Sequence, residues 1–299
     1  MLPDFIIVGA QKAATTFVQE CLAEHPEVYL APGETPFFES PDFENGDISD
    51  LEALFQGRTE ARLGIKRPNY LAKPEVAPRI ERYLPDAKLI AVLRNPVDRA
   101  VSAYFHYINY GFLPVLDIEV GMRRLLQDPS FTSGYPRGRE VIEFGFYHRH
   151  LTRYRHFIDR GLMLILLFED IVEAPLESMR KVYKHLGVSS DFLPRSLETR
   201  PQEVVYEMRR LRFLRQRNRF QYRYHEDGTR LDETEMSVLK KAIVKGMTLV
   251  DRHILARMLG NRRPRLSPGL RDMLHEAYES DIVRLEALIG RDLSTWRSG

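Results

Sequence analysis

Three short stretches of this chain are almost wholly apolar: Phe5–Val8, Lys88–Leu93 and Leu162–Phe168. Runs of this length without polar alternation suit strands buried on both faces, as in a parallel sheet covered by helices. The residues between them carry helical spacing. Helices are predicted over Thr15–Leu22, Glu75–Tyr83, Val97–Tyr110 with Pro96 at the first position, and Pro175–Leu186 closed by Gly187. Arg62–Lys66 adds a strand, stopped by Pro68. Strand and helix alternate, which predicts an α/β fold with a central parallel sheet flanked by helices. Residues 31–60 read as loop with short helical pieces, and residues 111–138 as irregular, broken by Pro114, Pro129, Gly134, Pro136 and Gly138. Arg139–Asp159 has helical spacing. Beyond residue 200 no strand of similar strength is expected. Glu203–Arg219, Asp232–Leu259 and Pro268–Leu288 read as helices, which makes the C-terminal third helical. No repeat or flexible linker divides the chain, so a single domain over residues 1–299 is expected.

At 299 residues and 43% apolar content, the chain can bury the core of one α/β unit. A formal net charge of +2 is too small for a polycation, so anions must be bound by local arrangement. The same balance argues against nucleic acid as a partner. Cys21 is the single cysteine, which excludes an intramolecular disulfide and a cysteine-based metal site. A reducing compartment follows. Met1-Leu2-Pro3-Asp4 has no basic segment, Phe5–Val8 is too short for a signal core, and no apolar run reaches spanning length. The expectation is a cytoplasmic protein without a membrane span.

Chemistry is expected first in the turn after the first strand, Gly9-Ala10-Gln11-Lys12-Ala13-Ala14. A strand–turn–helix of this kind points backbone N–H groups and the positive end of a helix at an anion. Ala13 and Ala14 are small enough for close approach, Lys12 adds a charge, and Thr15 and Thr16 add hydroxyls. The order of Gly, Lys and Thr fits neither a Walker A loop nor a dinucleotide-binding fingerprint. An ordinary turn with a surface lysine is the competing interpretation. The second apolar run leads into Arg94-Asn95-Pro96, with Ser102 two turns along the next helix. Arg94 stands at the carboxyl edge where open α/β sheets bind ligands, and its planar fork suits phosphate. A local ion pair between Arg94 and Asp98 is the alternative. Two cation-bearing strand ends in one sheet favour an anion site.

Both segments resemble motifs of the sulfotransferases that use 3′-phosphoadenosine-5′-phosphosulfate (PAPS). Asp4–Thr16 resembles their 5′-phosphosulfate loop, and Leu93–Tyr104 their 3′-phosphate motif. Glu34-Thr35-Pro36-Phe37-Phe38-Glu39, Lys66-Arg67-Pro68-Asn69-Tyr70, Gly145-Phe146-Tyr147 and the tail from Leu285 to Trp296 are similar as well. The similarity is weakest over residues 190–260 and is closest in flavour to the heparan-type carbohydrate branch. It implies the P-loop-like sulfotransferase fold, with PAPS as co-substrate and 3′-phosphoadenosine-5′-phosphate as product. Lys12, together with Gln11, Ala13, Ala14, Thr15 and Thr16, would hold the 5′-phosphosulfate. Arg94 and Ser102 would hold the 3′-phosphate. Tyr147 would join the cofactor site, and Arg262 and Arg263 fall where a basic loop closes over it. Glu34 matches the catalytic base of the heparan branch, and Lys66 a lysine near the transferring sulfate. Ala14 departs from the family, replacing a common glycine. The lumenal heparan enzymes usually carry a disulfide, which one cysteine cannot form.

Sulfuryl transfer develops charge on the leaving phosphate, which Lys12, Lys66 and a helix N-terminus would meet. A neutral hydroxyl needs a base in the transition state. Glu34 is the candidate; a water-exposed loop carboxylate or a salt-bridge partner of Lys66 is the plain alternative, and His106 and His148 are rival bases. No metal is implied. The acceptor is a glycan or a small molecule. Arg209, Arg210, Arg212, Arg215, Arg217, Arg219 and Arg223, interleaved with Phe213, Phe220, Tyr222 and Tyr224, form either a solvated helix face or an anionic-glycan surface. A nucleotide or small-molecule kinase, and a non-catalytic glycan-binding protein, are the competing functions.

Overall fold

The structure is a computed structural model that describes residues 1–198, 204–224 and 231–297. The elements used below are, in chain order, β1 (Phe5–Gly9), α1 (Thr15–Ala23), β2 (Val28–Leu30), β3 (Arg62–Lys66), α2 (Val76–Tyr83), β4 (Lys88–Leu93), α3 (Pro96–Asn109), α4 (Ile118–Gln127), β5 (Met163–Leu167), α5 (Pro175–Leu186), α6 (Met208–Gln221), α7 (Val238–Val250) and α8 (Pro268–Ile289). They fall into two compact units. The first comprises Met1–Asn95, Phe146–Pro201 and Ser280–Trp296; the second comprises Pro96–Gly145, Gln202–Glu279 and Arg297–Gly299.

The first unit holds a five-stranded parallel sheet in the order β2-β3-β1-β4-β5. Every residue of β1 is buried, and β4 is buried from Leu89 to Leu93, as expected for strands covered on both faces. The chain passes from β1 to one side of the sheet through β3, then returns to the other side at β4. The loops after β1 and β4 therefore flank the point where strand order reverses, the usual ligand crevice of such sheets. Gly9 ends β1 because a Cβ there would lie 2.7 Å from Leu71 Cβ and 3.0 Å from the Pro68 carbonyl.

Four readings of the sequence need correction. Val28–Leu30 is an additional edge strand, parallel to β3; three residues are too few to show a period. Residues 111–138 are not irregular throughout: α4 forms there, started by Asp117, whose carboxylate accepts from the Glu119 N–H at 2.9 Å. Arg139–Asp159 is not one helix but short turns at Glu140–Glu143, Tyr147–Leu151, Thr152–Tyr154 and Arg155–Asp159. The break falls at Gly145, where a Cβ would strike the Tyr278 ring at 2.7 Å. Finally, Asp232 lies in a strand, because Leu231–Glu233 pairs antiparallel with Tyr222–Tyr224. In the expected helix Glu203–Arg219, Glu203 is outside the described residues, and α6 spans Met208–Gln221.

In the second unit α3 begins at Pro96 and buries Val97, Ala100, Val101, Ser102 and Phe105. Asn218 of α6, fully buried, donates from Nδ2 to the carbonyl of Asn109 at 2.7 Å. Arg210 grips Asp251 with both arms, at 3.0 and 2.9 Å. No described helix is long and apolar enough to cross a membrane.

Candidate active site

Helix α1 opens without a side-chain cap and with no acidic residue in its first turn. Its first N–H groups are thus left for an outside acceptor. The turn before it bends through two left-handed residues, Lys12 at φ 68° and Ala14 at φ 66°. Ala14 occupies the position that a glycine would hold without steric cost.

Arg94, just beyond β4, reaches this turn. Its Nη1 donates to the Lys12 carbonyl at 3.2 Å, and its guanidinium stacks 4.4 Å from the centre of the Phe168 ring. Arg94 Nε is buried with no partner among the described residues. Tyr147, fully buried, donates its hydroxyl to the Arg94 carbonyl at 2.9 Å. Asn95 N–H is accepted by Glu169 at 3.2 Å. The Arg94 turn is therefore held from behind, with part of its fork still unsatisfied.

Lys66, at the end of β3, is only 4% exposed and donates to Gln19 Oε1 at 2.7 Å and Thr16 Oγ1 at 3.2 Å. Glu34 is carried beside it because Thr35 N–H donates to the Lys66 carbonyl at 3.0 Å. Tyr70 clamps the same loop, donating to the Thr35 carbonyl at 2.5 Å and accepting from Phe38 N–H at 3.0 Å. The partner of Glu34 is Arg67, whose Nη1 donates to Oε2 at 2.7 Å, in place of the Lys66 pairing that was the alternative to a catalytic role. Arg67 also grips Glu39 through Nε at 2.9 Å and through Nη2. Glu34 Oε1 has no protein partner among the described residues, and the side chain is 41% exposed.

Lys12 pays electrostatically for this company. Burial, and next the charge of Arg94, bring its pKa down to about 8; Lys66 adds to the depression and Glu34 opposes it. Burial likewise lowers Lys66, against the charge of Glu34. Three cations held close in a partly desolvated turn are a standing demand for an anion.

Lys12, Ala13, Ala14, Thr15, Thr16, Glu34, Lys66, Arg94 and Tyr147 all belong to the first unit. Gln11 joins them, donating to Asn69 Oδ1 at 3.1 Å. Ser102, Arg262 and Arg263 belong to the second. There Ser102 is buried on α3, Arg262 is exposed, and Arg263 pairs with Asp98. The arginine-rich helix is divided. Arg210 is buried on Asp251, Arg215 donates to the Leu113 carbonyl at 3.3 Å, and Arg217 donates to Asn218 Oδ1 at 2.7 Å. Arg209, Arg212, Arg219 and Arg223 are exposed. Sequence reasoning gave no role to Arg67, Gln19 or Phe168. Arg67 adjoins Lys66 in a matched segment, but Phe168 carries no local signal. Among the described residues no group of three or more His, Cys, Asp or Glu side chains is arranged to hold a metal ion.

Comparisons with known proteins identify the family. A human bifunctional heparan sulfate N-deacetylase/N-sulfotransferase 2 is 31% identical over 207 residues, covering 63% of this chain and 22% of the relative. The mouse heparan sulfate glucosamine 3-O-sulfotransferase 3A1 is 29% identical over 197 residues, covering 62% of this chain and 46% of the relative. The chain thus matches less than half the length of either. A crystal structure of a sulfotransferase from Alicyclobacillus acidocaldarius superposes with a TM-score of 0.69 at 25% identity, covering 99% of both chains. The sulfotransferase-domain family model matches residues 2–247, and on that match the chain belongs to the sulfotransferase family.

Proposed function

We propose that this sulfotransferase takes its sulfuryl group from PAPS and passes it to an acceptor hydroxyl on a carbohydrate or a small natural product, with Glu34 as base. The observation that carries the reading is the reach of Arg94 to the Lys12 carbonyl, which brings two cationic strand ends together with donor capacity to spare. That arrangement fits a ligand with phosphate at two places. Lys12 and the uncapped start of α1 meet the 5′-phosphosulfate, while Arg94 meets the 3′-phosphate; a part for Ser102 there rests on the family resemblance alone. Gln11, Ala13, Ala14, Thr15 and Thr16 supply the turn. Tyr147 acts through the Arg94 carbonyl; for Arg262 and Arg263 a part in holding the nucleotide rests on the family resemblance alone.

The acceptor oxygen forms a bond to sulfur as the bond from sulfur to the 5′-phosphate oxygen breaks. Glu34 Oε1 takes the acceptor proton, while Arg67 keeps the carboxylate in place from Oε2. Lys12 and Lys66 stabilise the charge that gathers on the leaving phosphate. The product nucleotide is 3′-phosphoadenosine-5′-phosphate. The acceptor class draws support from relatives whose names describe transfer to heparan sulfate. We take residues 1–299 to work as one catalytic domain, in a reducing, cytoplasmic setting, which suits the lone buried thiol of Cys21.

Calorimetry with 3′,5′-ADP and with ATP–Mg²⁺, followed by a labelled-sulfate assay over a panel of glycans and small alcohols, tests the proposal. Tight binding of 3′,5′-ADP alone and label transfer are expected. Preference for ATP–Mg²⁺ would give the site to a kinase. Binding without transfer to any acceptor, hydroxyl or amine, would leave a glycan-binding protein.

A further inference from the structure

Gln19, in the second turn of α1, hydrogen-bonds both to the ammonium of Lys66 and to the loop that carries Glu34. Its Oε1 accepts from Lys66 Nζ at 2.7 Å, and its Nε2 donates to the Gly33 carbonyl at 3.4 Å. The amide can face only one way. An ammonium donates and never accepts, so the carbonyl oxygen must turn to Lys66, which leaves the NH₂ group for the loop. Gly33, at φ 78°, turns the chain directly into Glu34, so the far end of the amide is anchored on backbone next to the base. Packing does not account for Gln19. The core face of α1 is made by Phe17, Val18, Cys21 and Leu22, all buried, whereas Gln19 is half-buried and its neighbour Glu20 is exposed.

Lys66 is nearly buried, and its ammonium has two hydrogen-bond partners among the described residues, Gln19 and Thr16. A buried charge without partners is costly, so these two bonds fix the ammonium and with it the direction of its third N–H. Thr16 Oγ1 accepts at 3.2 Å and keeps its own proton for an anion. Gln19 gives the shorter of the two bonds, through an amide that is itself tied at its other end. We propose that Gln19 is a positioning residue for sulfuryl transfer, acting through Lys66: it holds the ammonium so that the third N–H meets the charge that gathers on the leaving phosphate. The role rests on the part given above to Lys66. It is a demand of the transition state, because that charge is fully developed only as the bond to sulfur breaks.

The test is a double-mutant cycle on the full chain, read by single-turnover transfer of labelled sulfate to the best acceptor of the panel. Gln19→Met, which keeps the length of the side chain and loses both bonds, should slow transfer by roughly 10–100-fold. Thermal melting and the KM for PAPS should stay close to wild type, since Lys12 and Arg94 are untouched. In a Lys66→Met enzyme the same substitution should cost less than about threefold, because no ammonium is left to aim; in a Glu34→Gln enzyme it should keep its full effect. Wild-type rates in Gln19→Met, a loss that saturating PAPS restores, or an equal loss with and without Lys66 overturns the role of Gln19 and leaves the sulfotransferase reading standing. A wild type that binds 3′,5′-ADP and moves no label to any acceptor overturns that reading, and the role of Gln19 with it. If Gln19→Met fails to fold, Gln19→Ala removes the same bonds at a favourable helix residue and decides the cycle.

Discussion

Arg94 donates to the backbone carbonyl of Lys12, a residue 82 positions earlier in the chain. The bond ties the end of β4 to the turn after β1 and sets two cations side by side before any anion arrives. Phe168 stacks behind the guanidinium and Tyr147 holds its carbonyl, so the arrangement is prepared in the free protein. Preorganised charge of this kind is what stabilisation of a developing anion requires.

Replacing Arg94 by lysine keeps the charge but loses the fork and the stacking. A charged hydrogen bond contributes about 1.5–3 kcal/mol, so Arg94→Lys is expected to weaken 3′,5′-ADP by roughly 10–100-fold, and Arg94→Ala at least as much. Calorimetric titration reads both. Wild-type affinity in Arg94→Lys would remove the fork from the argument.

Lys12 predicts a pH dependence. Its pKa lies at about 8 against an ordinary 10.5. An anionic ligand needs the protonated amine, so 3′,5′-ADP affinity should fall as pH rises through about 8, approaching tenfold per pH unit above it. Lys12→Arg should abolish that inflection. For the free protein the sign is opposite. Between about 8 and 10.5 the unfolded chain holds the proton and the folded chain does not, so this residue's contribution to stability rises with pH across that window.

Glu34 and Arg67 should separate chemistry from binding. Glu34→Gln is expected to lower kcat by about 10²–10⁴-fold while leaving 3′,5′-ADP affinity within a few-fold of wild type. Arg67→Ala removes the anchor on Oε2 and the grip on Glu39, and should lower kcat by roughly tenfold or more through misplacement. Arg67→Lys should restore part of that loss. Single-turnover sulfate transfer separates the two effects, and full activity in Glu34→Gln excludes it as the base.

The turn itself makes a stability prediction. At φ 66° Ala14 carries left-handed strain of about 1 kcal/mol, so Ala14→Gly should stabilise the fold by a fraction of that, offset in part by unfolded-chain entropy. Gly9→Ala should destabilise by about 1–3 kcal/mol, because its Cβ would lie 2.7 Å from Leu71 Cβ. Urea denaturation of the pair, with opposite signs, is the check.

Much of the site was legible in the linear chain. The strand–turn–helix from Phe5 to Ala23 and the strand leading to Arg94 are written in contiguous residues, where apolar runs and turn-forming residues act over a few positions. The same local rules overlooked β2, which has three residues, and α4, whose Asp117 cap is hidden among breakers. They also joined Arg139–Asp159 into one helix, because the obstacle at Gly145 is a tyrosine more than 130 residues away.

The sequence by itself determined the alternation of buried strands and helices, and with it the two cationic turns at strand ends. Burial is demanded residue by residue, and apolar period records it. Only the tertiary structure decided which residues meet: Arg94 with Lys12 and Phe168, Glu34 with Arg67, Lys66 with Gln19, and Asp251 with Arg210. Those choices depend on strand order and on packing between segments far apart in the chain. No local pattern of residues encodes a partner's position in space.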